Sequence, residues 1–559
     1  MKNGKYFIGI IGLVFLGLAV FAEQFGLDNN SDWGRGRILL FGVGAVFVSI
    51  NVLGVVFRNR LVNIAGLFKN TFGKLGVLDY SAQINIFSFL AIITVSAVYI
   101  WSFLPFVNSD PTTNNYSQLA IAFKSRQLYL NEQPPAALLA LSNPYDWSAR
   151  YSIRRSFTMD VSLYKGRFYL YWGPVPSLLL MIFSSKQLQT LGDQYVFFAF
   201  LYGLFLYSFL LVRSCWEKFN HVLPAWMIGV ALLAIGISGP VAQMLNLSSV
   251  YEAAIVADQF FFIGGCYWAY SAIRTTPTSR WKIALASLHW ALAIGTRITI
   301  LPAILFLVFM VLFHVWKENK LYHPGKLVLT LSAIVIPLLI LAVSLGWYNY
   351  ARFGSISEFG LRYQLAQLDY HKFTKIFSTD YLYGNFQNYF LKPFGTQPRF
   401  PFLRAIETVY SNERITGLLY TTPLFLIAFI PLGRLLYSGT ILQTIHIAVQ
   451  NGIPAESWLA LGLAGSSLVL LSINLLYYYP AVRFMEEFLP AMMLLATISL
   501  GTGYEIFKES PIFGKSYLFF VVALVIYSIM VSMLSTVPLS RTKSVLLLIK
   551  QVQQFISLR

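Results

Sequence analysis

The sequence predicts an all-α, polytopic membrane protein, and two observations support this fold class. Of the 559 residues, 57% are hydrophobic and only 11% carry a charge. Apolar segments of about 20 residues recur along the chain, each long enough to span a bilayer as a helix. No phosphate-binding glycine loop, zinc motif or Cys and His cluster with metal-ligand spacing accompanies them. We therefore predict no resident metal. The sequence indicates no definite cofactor and leaves open a requirement for a divalent cation.

Hydropathy indicates about thirteen transmembrane helices. They lie near residues 6–22, 38–57, 84–106, 194–212, 223–244, 252–273, 283–298, 300–316, 327–348, 417–435, 457–478, 485–503 and 517–538. No small-residue cleavage site follows the first segment, which favours a retained helix over a signal peptide. The net charge of +18 is spread over loops and helix ends, and we predict no nucleic-acid partner.

Segment 168–186, FYLYWGPVPSLLLMIFSSK, determines the orientation of everything after it. Its first half carries Gly173, Pro174 and Pro176, which disfavour a continuous helix. If it were a span, three short loops rich in Lys and Arg would lie outside, against the positive-inside rule. We therefore predict an interfacial segment. Two long non-cytoplasmic loops follow from it, 107–193 and 349–416, each with aromatic and amphipathic pieces that lie on the membrane as interfacial helices.

Acidic residues at the outer ends of the predicted helices are candidates for general-base chemistry. Asp110 follows the third span, and Asp160 precedes the interfacial segment. Glu252 opens the sixth span and Glu487 opens the twelfth. A carboxylate that only caps a helix N-terminus is an equally good interpretation of these two glutamates. The sequence leaves both interpretations open.

Arginines at the same boundary are candidates for holding a phosphate. Arg297 lies at a tight turn between two spans, and Arg483 lies at the outer start of another. A guanidinium near hydrocarbon is costly and its fork matches phosphate oxygens, although contact with lipid headgroups is the alternative. Arg352 and Arg362, in the second loop, are weaker candidates, for which solvated charge is the simpler interpretation.

Three aromatic residues of the first loop are candidates for contact with a sugar or acceptor. They are Tyr116, Trp147 and Trp172. An aromatic ring can stack on the face of a sugar, but anchoring at the membrane interface explains rings at this depth equally well. Both interpretations remain open.

The order of these features resembles the GT-C superfamily of integral-membrane glycosyltransferases. It is similar to the dolichyl-phosphate-mannose protein mannosyltransferases and to the aminoarabinose transferases of lipid A. The resemblance covers about residues 84–505 and rests on Asp110, the segment GPVPSLL, the pair Thr296 and Arg297, and the stretch RFMEEFLP. The chain departs from the mannosyltransferase pattern in having one acid in SDPTTNN, which leaves Asp160 as the alternative base.

The resemblance implies inverting transfer of a sugar from a polyprenyl-phosphate donor to a glycan, lipid or protein acceptor. It implies Asp110 as the base, Arg297 and Arg483 as contacts of the leaving phosphate, and Glu252 as a second functional acid. It also implies a multi-pass protein of a bacterial cytoplasmic membrane with its active site facing outside. Three regions follow: two additional transmembrane helices in 1–83, the catalytic module in 84–505, and a final helix with a basic amphipathic tail in 506–559.

Two other functions stay under consideration. A transporter or flippase of a lipid-linked saccharide would have broken helices near mid-membrane and ionisable residues deep within spans. Most charges lie at helix ends instead, with Asp258 about one and a half turns inside its helix. A non-catalytic assembly subunit is the third hypothesis, and it predicts that Asp110→Asn leaves any associated activity intact.

Overall fold

The computed structural model describes most of the predicted catalytic module and the helix after it. The described residues are 79–103, 113–158, 160–321, 327–373, 375–396, 403–408, 413–438 and 453–536, with a few isolated positions before residue 41. The two predicted N-terminal spans lie almost wholly outside these ranges. Asp110 and the predicted C-terminal tail also lie outside them.

Helices make up most of the described chain. In chain order they are α1 (Tyr80–Phe103), α2 (Asn115–Lys124), α3 (Ala136–Leu139), α4 (Trp147–Arg150), α5 (Val175–Leu180), α6 (Ser185–Thr190), α7 (Asp193–Phe219), α8 (Met227–Ile237), α9 (Pro240–Leu247), α10 (Val250–Ile273), α11 (Arg280–Thr296), α12 (Leu301–Leu321), α13 (Leu327–Phe353), α14 (Leu382–Phe386), α15 (Leu418–Thr421), α16 (Ile430–Ser438), α17 (Ala455–Leu476), α18 (Met485–Phe507) and α19 (Pro511–Thr536). Short 3-10 helices lie at Tyr151–Ile153, Ile298–Ile300, Leu361–Tyr363, Thr379–Tyr381, Pro423–Phe429 and Val482–Phe484, with a π-helical turn at Gln387–Leu391.

Among the described residues, seven helices are long and apolar enough to cross a membrane. They are α1, α7, α12, α13, α17, α18 and α19. The 24 residues of α1 rise about 36 Å, more than the roughly 30 Å of a bilayer's hydrocarbon core. Helix α10 is buried over most of its length between α7 and α11. The chain is therefore an all-α integral membrane protein, as predicted, while the count of thirteen spans stays a prediction.

The apolar segment predicted as one span at 223–244 is interrupted in the structure. Helix α8 ends at Ile237 and α9 begins at Pro240. Gly239 between them has φ +71°, a left-handed conformation that favours glycine. Proline then starts the next helix, where its missing N–H costs no hydrogen bond. Two short helices thus stand where hydropathy alone predicts one long helix.

Segment 168–186 does not span the bundle, in agreement with the interfacial prediction. Its helix α5 has six residues and rises only about 9 Å. Leu178, Leu179 and Ile182 point apolar side chains outward. Exposed apolar groups on so short a helix are typical of a segment that lies on a membrane surface.

Gly173 fixes this segment against the turn after α11. Its N–H donates a hydrogen bond to Thr296 O over 3.0 Å. A Cβ at this position would lie 2.0 Å from Gly295 O, closer than any side chain allows. The absence of a side chain at Gly173 therefore permits direct contact between two backbones, and it brings the first long loop to Arg297.

The two long loops pack against each other at one end of the bundle. Leu365 N donates to Val161 O over 2.9 Å, and Ser162 Oγ donates to Gly360 O over 2.8 Å. The sequence predicts that both loops form walls of one region, and these contacts join them. At this same end α7, α10 and α18 begin, and α1, α11 and α13 finish.

Three small antiparallel ladders, absent from the prediction, lie in the loops. β1 (Ser162–Tyr164) pairs with β2 (Arg167–Tyr169), β3 (Gly395–Thr396) with β4 (Leu403–Arg404), and β5 (Ile406–Glu407) with β6 (Arg414–Ile415). The first ladder is a hairpin with a two-residue turn, Lys165 and Gly166, both at positive φ. Such turns match the twist of paired strands and explain why a short hairpin forms here.

Candidate active site

The carboxylate of Asp160 lies at the centre of the candidate site, just before β1. Its backbone is in the left-handed region, with φ +58°, which aspartate tolerates better than most residues. The Tyr251 hydroxyl, from the first turn of α10, donates to Asp160 Oδ2. Oδ1 has a long contact of 3.5 Å from Gln364 Nε2. One oxygen is therefore held firmly, while the other keeps the capacity to accept a proton.

Burial raises the pKa of Asp160 to about 6, against the opposing influence of the Arg483 and Arg150 guanidinium groups. A carboxylate with this pKa is mostly ionised at neutral pH and still basic enough to take a proton from a reacting hydroxyl. A pKa displaced by burial and by specific charges is a common property of functional groups. A general base requires these properties, and that role of Asp160 stays a prediction.

Arg483, in the 3-10 turn before α18, is near enough to this carboxylate to act on it electrostatically. Its Nη1 is 3.3 Å from Glu413 Oε1, and its side chain is 20% exposed. The guanidinium also lies over the ring of Tyr251, 4.9 Å from the centroid. Among the described residues, the ion pair with Glu413 uses only one terminal nitrogen of Arg483, Nη1. The other nitrogens of the guanidinium can hold phosphate oxygens.

Tyr171 connects this pair to the second half of the site. Its hydroxyl interacts electrostatically with Asp160, Arg297 and Arg483, and burial raises its pKa well above the usual range. The phenol therefore stays protonated and can donate a hydrogen bond. Tyr171 is thus near enough to Asp160, Arg297 and Arg483 to interact electrostatically with all three.

Arg297 forms a buried ion triad that joins three helices. Its Nη2 pairs with Glu487 Oε1 on α18, and its Nε is 3.4 Å from Asp258 Oδ2 on α10. All three side chains are largely buried, where ion pairs are stable only when each charge has its partner. The positive charge of Arg297 is thus already balanced by two carboxylates. A phosphate contact by Arg297 and a role of Glu487 as a second acid stay predictions.

Glu252 takes part in a capping box at the start of α10. The backbone N–H of Ser249 donates to Glu252 Oε2 over 3.1 Å, and the Ser249 hydroxyl donates to the same oxygen. This is the capping arrangement that the sequence left open. Glu252 is also close enough to influence Arg483 electrostatically, and its role as a second acid stays a prediction.

The three candidate aromatic residues lie around the site. Trp172 packs edge-on against Tyr251 with ring centroids 5.3 Å apart. Tyr116 is fully buried, and its hydroxyl has no hydrogen-bond partner among the described residues. The Trp147 ring lies 5.4 Å from the Arg150 guanidinium. Contact of these rings with a sugar stays a prediction.

Arg352 and Arg362 have different surroundings. Arg352 is buried, and its terminal nitrogens donate to Leu170 O and Asn349 Oδ1, each over 2.7 Å. It therefore connects the end of α13 to the first loop. Arg362 is exposed in the 3-10 turn Leu361–Tyr363. A phosphate contact by either arginine stays a prediction.

Asp110 lies outside the described residues, and its role as the base stays a prediction. Thr113, shortly after it, is held at the starts of two helices. Its carbonyl accepts from Asp193 N and its hydroxyl accepts from Val250 N, both over 2.8 Å. The Asp193 carboxylate in turn accepts from Asn115 N over 2.9 Å and from the next backbone N–H over 3.1 Å. Asp193 thus caps α2 from a distant part of the chain.

Sequence reasoning did not find several residues of the site. Tyr251 stands next to Glu252, so its place at an outer helix end could have marked it. Arg150 ends the short helix α4 in the first loop, and Gln364 lies in the second loop, both in segments without periodicity. The packing of the two loops brings Gln364 to Asp160. No sequence signal marks such residues.

Within the described part of the chain, no group of three or more His, Cys, Asp or Glu side chains is arranged to hold a metal ion. The carboxylate oxygens of the site belong to separate ion pairs and helix caps. A requirement for a divalent cation stays open.

No family model and no curated protein matches the chain. Among solved structures, it is similar to the oligosaccharyltransferase of Archaeoglobus fulgidus in the apo form, with 13% identity and a TM-score of 0.40. It is also similar to the archaeal oligosaccharyltransferase AglB of Archaeoglobus fulgidus in complex with an inhibitory peptide and a dolichol-phosphate, with 12% identity and a TM-score of 0.38. Each alignment covers 81% of this chain and 56% of the other, so this chain spans little more than half their length. At these identities and TM-scores the likeness carries no argument about the family or the activity of this chain.

Proposed function

We propose that the chain is a membrane glycosyltransferase that transfers a sugar, with inversion, from a polyprenyl-phosphate donor to an acceptor hydroxyl on the non-cytoplasmic face. The observation that carries this proposal is the Asp160 carboxylate, with its pKa of about 6, beside the Arg483 guanidinium. The Asp160 carboxylate can accept the proton of an acceptor hydroxyl, and the Arg483 guanidinium can bind a leaving phosphate. Their proximity is what a one-step transfer requires.

In this step the acceptor hydroxyl donates a hydrogen bond to Asp160 Oδ1. Its oxygen attacks the anomeric carbon of the donor sugar while the proton moves to Asp160. The bond between the anomeric carbon and the phosphate oxygen breaks, and that oxygen keeps the electron pair. Arg483 stabilises the negative charge that develops on the phosphate, while Tyr251 holds the other carboxylate oxygen in place.

Of the arginines predicted to hold phosphate, Arg483 has the surroundings best suited to it. It is partly exposed and has one carboxylate partner, Glu413. Arg297 is more deeply buried and faces two carboxylates, Asp258 and Glu487. A phosphate would have to displace one of them. We therefore assign Arg483 to the leaving phosphate and Arg297 to holding the helix ends in position.

An assay with a panel of lipid-linked sugar donors tests this proposal. Purified protein is supplied with a set of polyprenyl-monophosphate sugars and a crude membrane extract as acceptor, and free polyprenyl phosphate is measured. We expect release with at least one donor. Asp160→Asn and Asp110→Asn are run in parallel, and the variant that abolishes release identifies the base. If no donor is consumed in the presence of acceptor, the proposal fails.

A transporter or flippase of a lipid-linked saccharide is the second candidate, and one observation favours it. The break between α8 and α9 is the kind of interrupted helix that transporters use. In vesicles, this function predicts movement of the lipid-linked sugar across the membrane without release of polyprenyl phosphate. A non-catalytic subunit predicts neither activity.

A further inference from the structure

Glu486 is a buried carboxyl that the proposed reaction does not use. Its side chain is 3% exposed, and its Oε1 has no hydrogen-bond partner among the described residues. The adjacent Glu487 is held by Arg297. Successive residues of a helix point about 100° apart, so Glu486 faces different helices and lies away from that ion triad.

Glu486 lines a small cavity between α1, α7, α8 and α18. The cavity has a volume of about 30 Å³, more than the roughly 10–15 Å³ that a cavity needs to hold one water molecule. Tyr99, Ser208 and Ser238 are the hydroxyl-bearing residues of its wall, and the remaining side chains are apolar. The cavity therefore has room for a water molecule or a small ion.

The cavity lies at the break between α8 and α9. Ser238, just after α8, and Val241, in the first turn of α9, both line it. The backbone N–H of Val241 hydrogen-bonds the Glu486 carboxyl, and the Tyr99 hydroxyl donates to Gly236 O over 2.8 Å. The carboxyl is thus placed beside two interrupted helix ends. Such ends bind small ions in other membrane proteins.

The Glu486 carboxyl has no positively charged side chain as a partner among the described residues. No Lys, Arg or His among the described residues forms an ion pair with it, in contrast to Glu487. An ionised carboxylate in apolar surroundings is strongly disfavoured unless a positive charge accompanies it. We propose that Glu486 and this cavity bind one monovalent cation, a proton or an alkali ion, at a site separate from Asp160.

The first test compares two neighbouring variants in the full-length protein in lipid nanodiscs. Melting temperatures are measured for wild type, Glu486→Gln and Glu487→Gln in choline, sodium and potassium chloride. Glu486→Gln should be at least as stable as wild type in choline chloride, because the amide needs no cation. Glu487→Gln should melt several degrees lower, because it leaves Arg297 with one carboxylate fewer. Equal loss in both variants overturns the proposal.

The salts and a chemical label separate the two cations. If sodium or potassium chloride raises the melting temperature of wild type but not of Glu486→Gln, the occupant is an alkali ion. If wild type has the same melting temperature in all three salts, the expected occupant is a proton. Dicyclohexylcarbodiimide modifies protonated carboxyls in apolar surroundings, so it should then label Glu486 and not Glu487. Mass spectrometry detects the label. No salt effect together with no label on Glu486 overturns the proposal.

Discussion

Three carboxylates that look alike in the sequence have three different environments. Glu252 caps a helix with Ser249, and Glu487 pairs with Arg297. Burial raises the pKa of Asp160 to about 6. All three were predicted at outer helix ends. The sequence could not distinguish them, because capping, pairing and burial depend on contacts that only the folded chain makes.

The pH dependence of activity tests the environment of Asp160. Because burial raises its pKa to about 6, the carboxyl becomes protonated as the pH falls through that value and can no longer accept a proton. We expect kcat/KM to fall about tenfold for each pH unit below about pH 6 and to level off above it. The measurement is a profile of kcat/KM from pH 4.5 to 8. A flat profile between pH 5 and 7 would contradict this assignment.

Arg483→Gln tests the phosphate contact. Removal of the guanidinium should lower kcat/KM by about 100- to 1000-fold, as is typical when a donor to developing negative charge is lost. Arg414→Gln is the matched control, because Arg414 is an exposed arginine paired with a single glutamate, Glu407. Steady-state kinetics with the preferred donor measure both variants. Equal effects of the two substitutions would argue against a specific role for Arg483.

At the scale of the elements, hydropathy predicted most long helices to within a few residues. Helix α1 was predicted at 84–106 and is observed at Tyr80–Phe103. Hydropathy did not reveal the break at Gly239, because a 20-residue average hides one glycine and one proline in an apolar run. It also missed the hairpin at Lys165 and Gly166, whose strands have only three residues each.

Gly173→Ala tests the contact between the interfacial segment and the turn after α11. The new Cβ would meet a backbone oxygen, Gly295 O, at 2.0 Å, and backbone cannot move aside as a side chain can. We expect a loss of about 1–3 kcal/mol in the free energy of unfolding. The control is Gly433→Ala on α16, where a Cβ would meet nothing within 4 Å. Chemical denaturation in mixed micelles measures both, and no difference between them would refute the contact.

Arg297→Gln tests the ion triad between α10, α11 and α18. Loss of the guanidinium leaves Asp258 and Glu487 buried without their partner, so we expect a loss of about 3–5 kcal/mol in stability. Arg434→Gln is the control, because its pair with Glu505 is more exposed and worth about 0–1 kcal/mol. The same denaturation experiment applies. A small effect at Arg297 would mean that the triad does not hold these helices together.

At the scale of the whole molecule, the site exists only because distant parts of the chain meet at one end of the bundle. The first loop supplies Asp160, the second supplies Gln364, and helix starts supply Tyr251 and Arg483. Orientation rules and apolar segments were enough to predict the membrane fold and two long loops on one side. They could not predict which loop residues meet, because no periodicity relates Gln364 to Asp160.

The most direct test of the central claim is a single-turnover reaction with excess enzyme and the polyprenyl-phosphate sugar that the donor panel identifies. The rate of polyprenyl phosphate release is compared for wild type, Asp160→Asn and Asp380→Asn, the last being an exposed aspartate paired with Lys375. We predict that Asp160→Asn slows release by about 100- to 10,000-fold while donor binding stays within a factor of two, and that Asp380→Asn behaves as wild type. Release by Asp160→Asn at the wild-type rate would contradict the account.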